Sequence, residues 1–436
     1  MLPMLAFDNA PPFKAPLRFF LTAPLFGVLA GVLVLVEGGD LFASRWTPGA
    51  LAVTHLITIG FMLQVMLGAL IQILPVVAGA SLAHPMRVAR NVHPGLSIGA
   101  LMLAAGFLSG SPALLGGGAV VLGLTLVYFL TVSLAALWPV PATSPTIRGI
   151  KLALLALAGT AMLGIVMALA LALGWSVPLV ALADLHAGWG LGGWSGVLLA
   201  AMAYVVVPMF QLTPGYPARP SWWFPAFMLA AMLMWGLAVL IDWPLLGRLC
   251  LILSALAGIA FAGLTLRLQF KRRRARPDAT YRYWQLGLTL SIFGLFFLLT
   301  VGFWPAAAEL AGWTLLFGIL LVAGGFIPFI AGMLYKIVPF LSWMHLQNLG
   351  QARVPAPAMN KILAEAAMHR QFLAYGVALA LLLGAAIWPE WLARPAGLAF
   401  TLANGWLFWN LAGATRRYRQ HLADIELRLA AGPATP

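Results

Sequence analysis

The sequence predicts an all-α polytopic membrane protein, with twelve transmembrane helices built as three four-helix repeats in a pseudo-threefold arrangement. Three observations lead there. The chain is 62% hydrophobic and 8% charged, with a mean hydropathy of +0.97. A soluble fold of that composition would have an apolar surface. Apolar runs of about 20 residues, enough to cross a hydrocarbon core about 30 Å thick, recur along the whole chain. Three of these runs also close with nearly the same phrase: MLGALIQILP at Pro75, LAAMAYVVVP at Pro208 and IAGMLYKIVP at Pro339. The prolines follow one another at a near-constant interval (208−75 = 133 and 339−208 = 131), which marks an internal repeat.

Taken in order, the runs place spans near 17–37, 50–76, 94–110, 115–138, 150–173, 185–210, 222–241, 245–266, 282–303, 312–341, 370–388 and 391–413. Pro139, Pro141 and Pro145 separate the fourth span from the fifth, and Pro214, Pro217 and Pro220 the sixth from the seventh. Such clusters stop helices. The repeats then cover about 17–138, 150–266 and 282–413 of a single membrane domain, 1–436. In each repeat the marked proline is expected to end the second helix. Pro328, preceded by Gly324 and Gly325, predicts a break inside the tenth span.

Charge fixes the orientation. With the N-terminus inside, 22 of the 25 Lys and Arg residues lie on the inner side and only Arg45, Arg248 and Arg394 outside. This is a strong positive-inside signal, and it puts both termini in the cytoplasm. The opening segment 1–16 holds Asp8 and four prolines, and the first apolar run is of span length, so no cleavable signal is expected. The run FKRRRARP at 270–277 reads as a topology anchor that meets anionic lipid headgroups. Membrane lipid is thus an expected partner. A nucleic-acid role is not expected, because no aromatic or glycine pattern accompanies the charge.

The single cysteine, Cys250, excludes a multi-cysteine metal site and packs as a small apolar residue. Ionisable groups inside a bilayer are costly and ask for a partner or a role. No Asp or Glu falls at mid-depth in a predicted span. His55 and His186 do fall inside spans. They precede their prolines by nearly equal steps (75−55 = 20 and 208−186 = 22), at matching places in the first two repeats. The third repeat has Phe317 to Ile319 in that window. Asp184 stands where it could orient or charge His186. His84, His93, His345, His369 and His421 are expected to be solvated or interfacial. Lys336 should snorkel inward. Tyr204 and Tyr335 hold equivalent positions that could supply hydroxyls to an inner polar site. GWGLGGWSG at 188–196 offers small residues for close packing or cofactor approach.

The stretch THLITIGFMLQVMLGALIQILPVVAG at 54–79 is similar to the second helix of haem–copper oxidase subunit I and of nitric-oxide reductases. DLHAGWGLGGWSGVLLAAMAYVVVP at 184–208 resembles that family's sixth helix. The resemblance implies that His55 is an axial ligand of haem b and that His186 ligates copper, or a second haem. It also implies a bacterial inner-membrane location and an electron donor or a second copy of the chain as partner. It does not extend to the oxygen-reducing binuclear centre. Where the family carries further histidines, this chain has SWWFPAFMLAAMLMW at 221–235 and GWTLLFGILLVAGGFIPF at 312–329. The layout also resembles the NnrS group of haem- and copper-containing proteins linked to nitric-oxide stress, though their HAHEM-type motif is not matched.

Two other function classes remain open on the sequence. One is a non-enzymatic transporter or assembly factor for a neutral, metal or haem cargo. The other is a structural subunit that binds lipid and a partner. A haem spectrum separates the first expectation from both.

Overall fold

The computed structural model describes residues 10–273, 277–310, 312–350 and 353–430. Arg274 and Arg276 of the basic run, and the first nine residues, lie outside the described residues. Every long element is a helix, and no strand occurs among the described residues. The helices are α1 Lys14–Ala43, whose last turns Gly38–Ala43 are 3-10, α2 Pro48–Val77, α3 Pro85–Ser109, α4 Pro112–Leu137, α5 Pro145–Leu173 and α6 Leu179–Gln211. They continue as α7 Ala218–Leu240, α8 Pro244–Phe270, α9 Ala279–Phe303, α10 Trp313–Leu349 and α11 Glu365–Ala385. These eleven are long and apolar enough to cross a membrane. The last helix, α12 Pro389–Ala430, is the longest. Asn404, Asn410 and the basic residues from Arg416 onward make it less apolar than the rest.

Local sequence explains the starts. Six of the twelve helices begin at a proline, namely Pro48, Pro85, Pro112, Pro145, Pro244 and Pro389. A first-turn position suits proline, because its missing N–H would have no partner there. Thr47, Ser111, Ser144 and Asp278 accept a hydrogen bond from the N–H three residues on and so cap α2, α4, α5 and α9.

The repeat prolines lie inside their helices. Helix α2 ends soon after Pro75, at Val77, and α6 soon after Pro208, at Gln211, close to the expected limits, whereas α10 runs on well past Pro339 to Leu349. A proline inside a buried helix is tolerated when neighbours and local adjustment re-satisfy the freed carbonyl. The break expected near Pro328 is also different in kind. The interruption is a π-helical segment, Ile319–Phe326, that precedes the proline. Two more such segments occur, Leu56–Leu63 in α2 and Trp189–Gly196 in α6. Their starts recur at nearly the proline interval (189−56 = 133 and 319−189 = 130). π-Segments are rare and concentrate at functional sites.

Helices adjacent in sequence pack side by side, and α12 packs along the length of α1, which closes the series into a ring. The three helices with π-segments form the core. In α2, α6 and α10, 78%, 67% and 61% of the most apolar stretch is buried, against 22–50% in the other spans. The seam between α1 and α12 depends on glycine. A Cβ on Gly397 would run into the backbone nitrogen of Leu35, and one on Gly31 would lie 2.6 Å from that of Thr401. Backbone cannot yield cheaply there. Gly397→Val should therefore destabilise the fold by about 1–3 kcal/mol or more, read as a lower melting temperature in detergent. Gly236→Ala, whose Cβ meets open space, should leave the melting temperature unchanged or slightly raised.

Candidate metal site

His55 and His186 each stand seven residues into their helix, counted from Pro48 and Leu179. That is about 10 Å from the helix start at 1.5 Å per residue, so the two rings sit at one depth. His55 is the last residue before its π-segment, and His186 lies three residues before the next. The structure brings them together. Their ring centroids are 6.4 Å apart and the planes differ by only 19°. Phe107 of α3 packs against His55 at 5.1 Å. Gly164 of α5 makes room for His186: a Cβ there would come within 2.8 Å of the imidazole Cε1.

Each ring is held by one nitrogen. His55 Nδ1 lies 2.8 Å from the carbonyl oxygen of Leu51, and His186 Nδ1 lies 3.0 Å from that of Thr160. A carbonyl only accepts, so both Nδ1 atoms carry the proton. In a neutral ring the lone pair is then on Nε2. Backbone carbonyls commonly fix metal-binding histidines in this way, setting the tautomer and raising ligand basicity. Both histidines are only half-buried although their helices form the core. No residue of Trp313–Gly318 in α10 is buried, and only Leu185 is buried in Leu179–Gly188. The second half of α10, by contrast, is closely packed from Ile327 to Leu346.

The donor set therefore fits a group that takes neutral imidazoles. It does not fit a three-histidine copper centre, because no cluster of three or more His, Cys, Asp or Glu that could hold a metal occurs among the described residues. Asp184 does not serve as the orienting group expected for His186. Its carboxylate accepts a 2.6 Å hydrogen bond from Arg45, which stands just before α2, and the Thr160 carbonyl holds the ring instead. The glycine-rich stretch forms the π-segment itself. Gly188 is filled by Trp235, and Gly192 faces the methyl group of Met228.

Other polar groups are placed differently from expectation. Helix α3 starts at Pro85, nine residues before the predicted span, and passes through Pro94. His93 is therefore inside a helix rather than on a solvated loop. Its Nε2 lies 2.8 Å from Thr22 Oγ1, and the Thr22 hydroxyl donates to the Arg18 carbonyl, so His93 is the donor. Ser97 donates to the His93 carbonyl, and Gln64 donates to Ser97 at 2.7 Å. No motif signals this set; only the helical spacing of 93 and 97 hints at it. His345 bonds Tyr418, and His369 sits beside Arg282. Lys336 pairs at 3.2 Å with Asp278, the residue that caps the start of α9. Tyr335 is buried with Tyr283 and Tyr375 and accepts from Asn410, so it belongs to a buried polar cluster. Tyr204 packs against Tyr216 and Phe261. Cys250 is buried, as expected.

The Arg45–Asp184 pair is about one-third and four-tenths exposed, which limits its energy to about 0–1 kcal/mol. A double-mutant cycle with Arg45→Ala and Asp184→Ala should give a coupling in that range that shrinks as salt is raised. A coupling well above it would mean that the pair is far better shielded than its exposure implies. No protein-family model matches the sequence, and no curated protein matches it.

Proposed function

We propose that this chain is a haem- or copper-binding redox or metal-handling protein of a bacterial inner membrane, on a scaffold similar to haem–copper oxidase subunit I and without the usual oxygen-reducing centre. Its twelve helices are read as three four-helix units with both termini cytoplasmic. The recurrence of π-segments at the proline period supports the units, and the one-sided Lys and Arg count supports the orientation.

The observation that carries the reading is the pair of imidazoles, each with Nδ1 bound to a backbone carbonyl and Nε2 left as a lone pair. An imidazole of this kind suits both iron and copper. Bound haem or copper supplies one-electron chemistry. The residues of the chain do the rest: Leu51 and Thr160 fix the two tautomers, and Phe107 and the Gly164 cleft hold the ring positions. The likeness to the NnrS group makes nitric oxide the first small molecule to test. A second reading is a non-enzymatic transporter or assembly factor for a neutral, metal or haem cargo. Three core helices interrupted mid-membrane favour it, since interrupted helices line pathways in transporters.

Protein purified in mild detergent from haem-replete cells should show either a haem b difference spectrum or stoichiometric copper, and His55→Ala should lose it. Absence of both in the unaltered protein would discard the redox reading and leave the transporter or assembly factor.

A further inference from the structure

We infer that His55 and His186 do not serve two separate centres but take a single transition-metal ion between them, with one imidazole from the first unit and one from the second. The inference rests on the metal-binding reading above and specifies its site. It departs from the family resemblance, which assigns one of these positions to haem and the other to copper.

Four observations support one shared ion. The rings stand at one depth, seven residues into neighbouring core helices. Their planes lie within 19° of each other. Two imidazoles that ligate one ion from opposite sides have ring centres about 6 Å apart, given metal–nitrogen bonds of about 2.0 Å and a ring radius of about 1.2 Å; the observed separation is 6.4 Å. Each Nδ1 is already engaged by a carbonyl, so the lone pair each ring can offer a metal is on Nε2. The position matching His186 in the third unit, one proline interval further on, is Phe317, so that unit contributes no third imidazole.

Charge narrows the ion. Both ligands are neutral, and the nearest acid in sequence, Asp184, is taken up by Arg45. A bare divalent ion would leave two uncompensated positive charges in the outer half of the membrane, at a large desolvation cost. Two candidates avoid this. One is copper(I), which carries a single charge. The other is haem iron, whose porphyrin neutralises the ferrous ion and supplies the remaining ligands. Both use the same pair of imidazoles.

The test compares the unaltered protein with His55→Ala, His186→Ala and Gly164→Val. The last moves the His186 ring without removing a ligand nitrogen. Haem is counted from the reduced spectrum and copper by elemental analysis, so the two sources are told apart. The expected result is one centre per chain, with retention of the same ion at least tenfold lower in each histidine variant. Millimolar free imidazole should restore metal retention in His55→Ala, and Gly164→Val should lower retention or, for haem, shift the spectrum. If His186→Ala keeps the signal that His55→Ala loses, or if each chain holds two centres, the shared site is wrong while the metal-binding reading stands. Stoichiometric zinc in place of either ion overturns the charge argument and the inference with it. If the unaltered protein holds neither haem nor copper, both fail together.

Discussion

A polar group inside hydrocarbon has no partner but the protein itself, and most of the hydrogen bonding in this bundle follows from that. Hydroxyls within the helices donate back one turn, as Thr54 does to Ala50, Thr125 to Val121, Thr160 to Ala156 and Thr401 to Gly397. Asn404 treats the carbonyl of Phe400 the same way. A π-segment unsettles this local arrangement, and side chains from other helices answer it. Tyr375 of α11 crosses to donate to the carbonyl of Ala323 within the third π-segment. The two core histidines obey the same rule with one nitrogen each and leave the other without a protein partner.

Buried polar side chains meet the constraint to different degrees. Tyr283 donates to Gln371, Gln371 to the Ala403 carbonyl, and Asn410 to Tyr335 and the Ala367 carbonyl, which ties α9, α10, α11 and α12 together. The set linking Gln64, Ser97, His93 and Thr22 ends with Gln64 Oε1 and Arg18 Nε buried and without a hydrogen bond, and Gln72 Oε1 is in the same position.

Much of this was legible in the sequence. Bilayer thickness sets span length, so apolar runs located eleven of the long helices, with most limits within a few residues but the start of α3 nine residues early and the end of α10 eight residues late. The repeat was visible because each core helix carries the same phrase. The histidines stood out because an ionisable group among apolar residues is costly. Three things were not legible. Proline was read as a stop, whereas packed neighbours let α10 run on past Pro339 to Leu349. The π-segments depend on packing between helices, and Leu56–Leu63 contains no residue type that announces one. The approach of His55 to His186 depends on how two helices from different units come to lie, and one-dimensional spacing does not contain that. His93 was hidden for a simpler reason: Pro94, beside it, looks like a helix start and is an interior residue.

The seam between the first helix and the last has a consequence for biogenesis. Helices enter a membrane in the order of synthesis, so α1 must wait for nearly the whole chain before α12 covers Gly27 and Gly31. Until then its stripe of small residues faces lipid, and the bundle is an open arc with a gap on one side. A chain truncated before Pro389 would keep the gap and present a ready mark for membrane quality control.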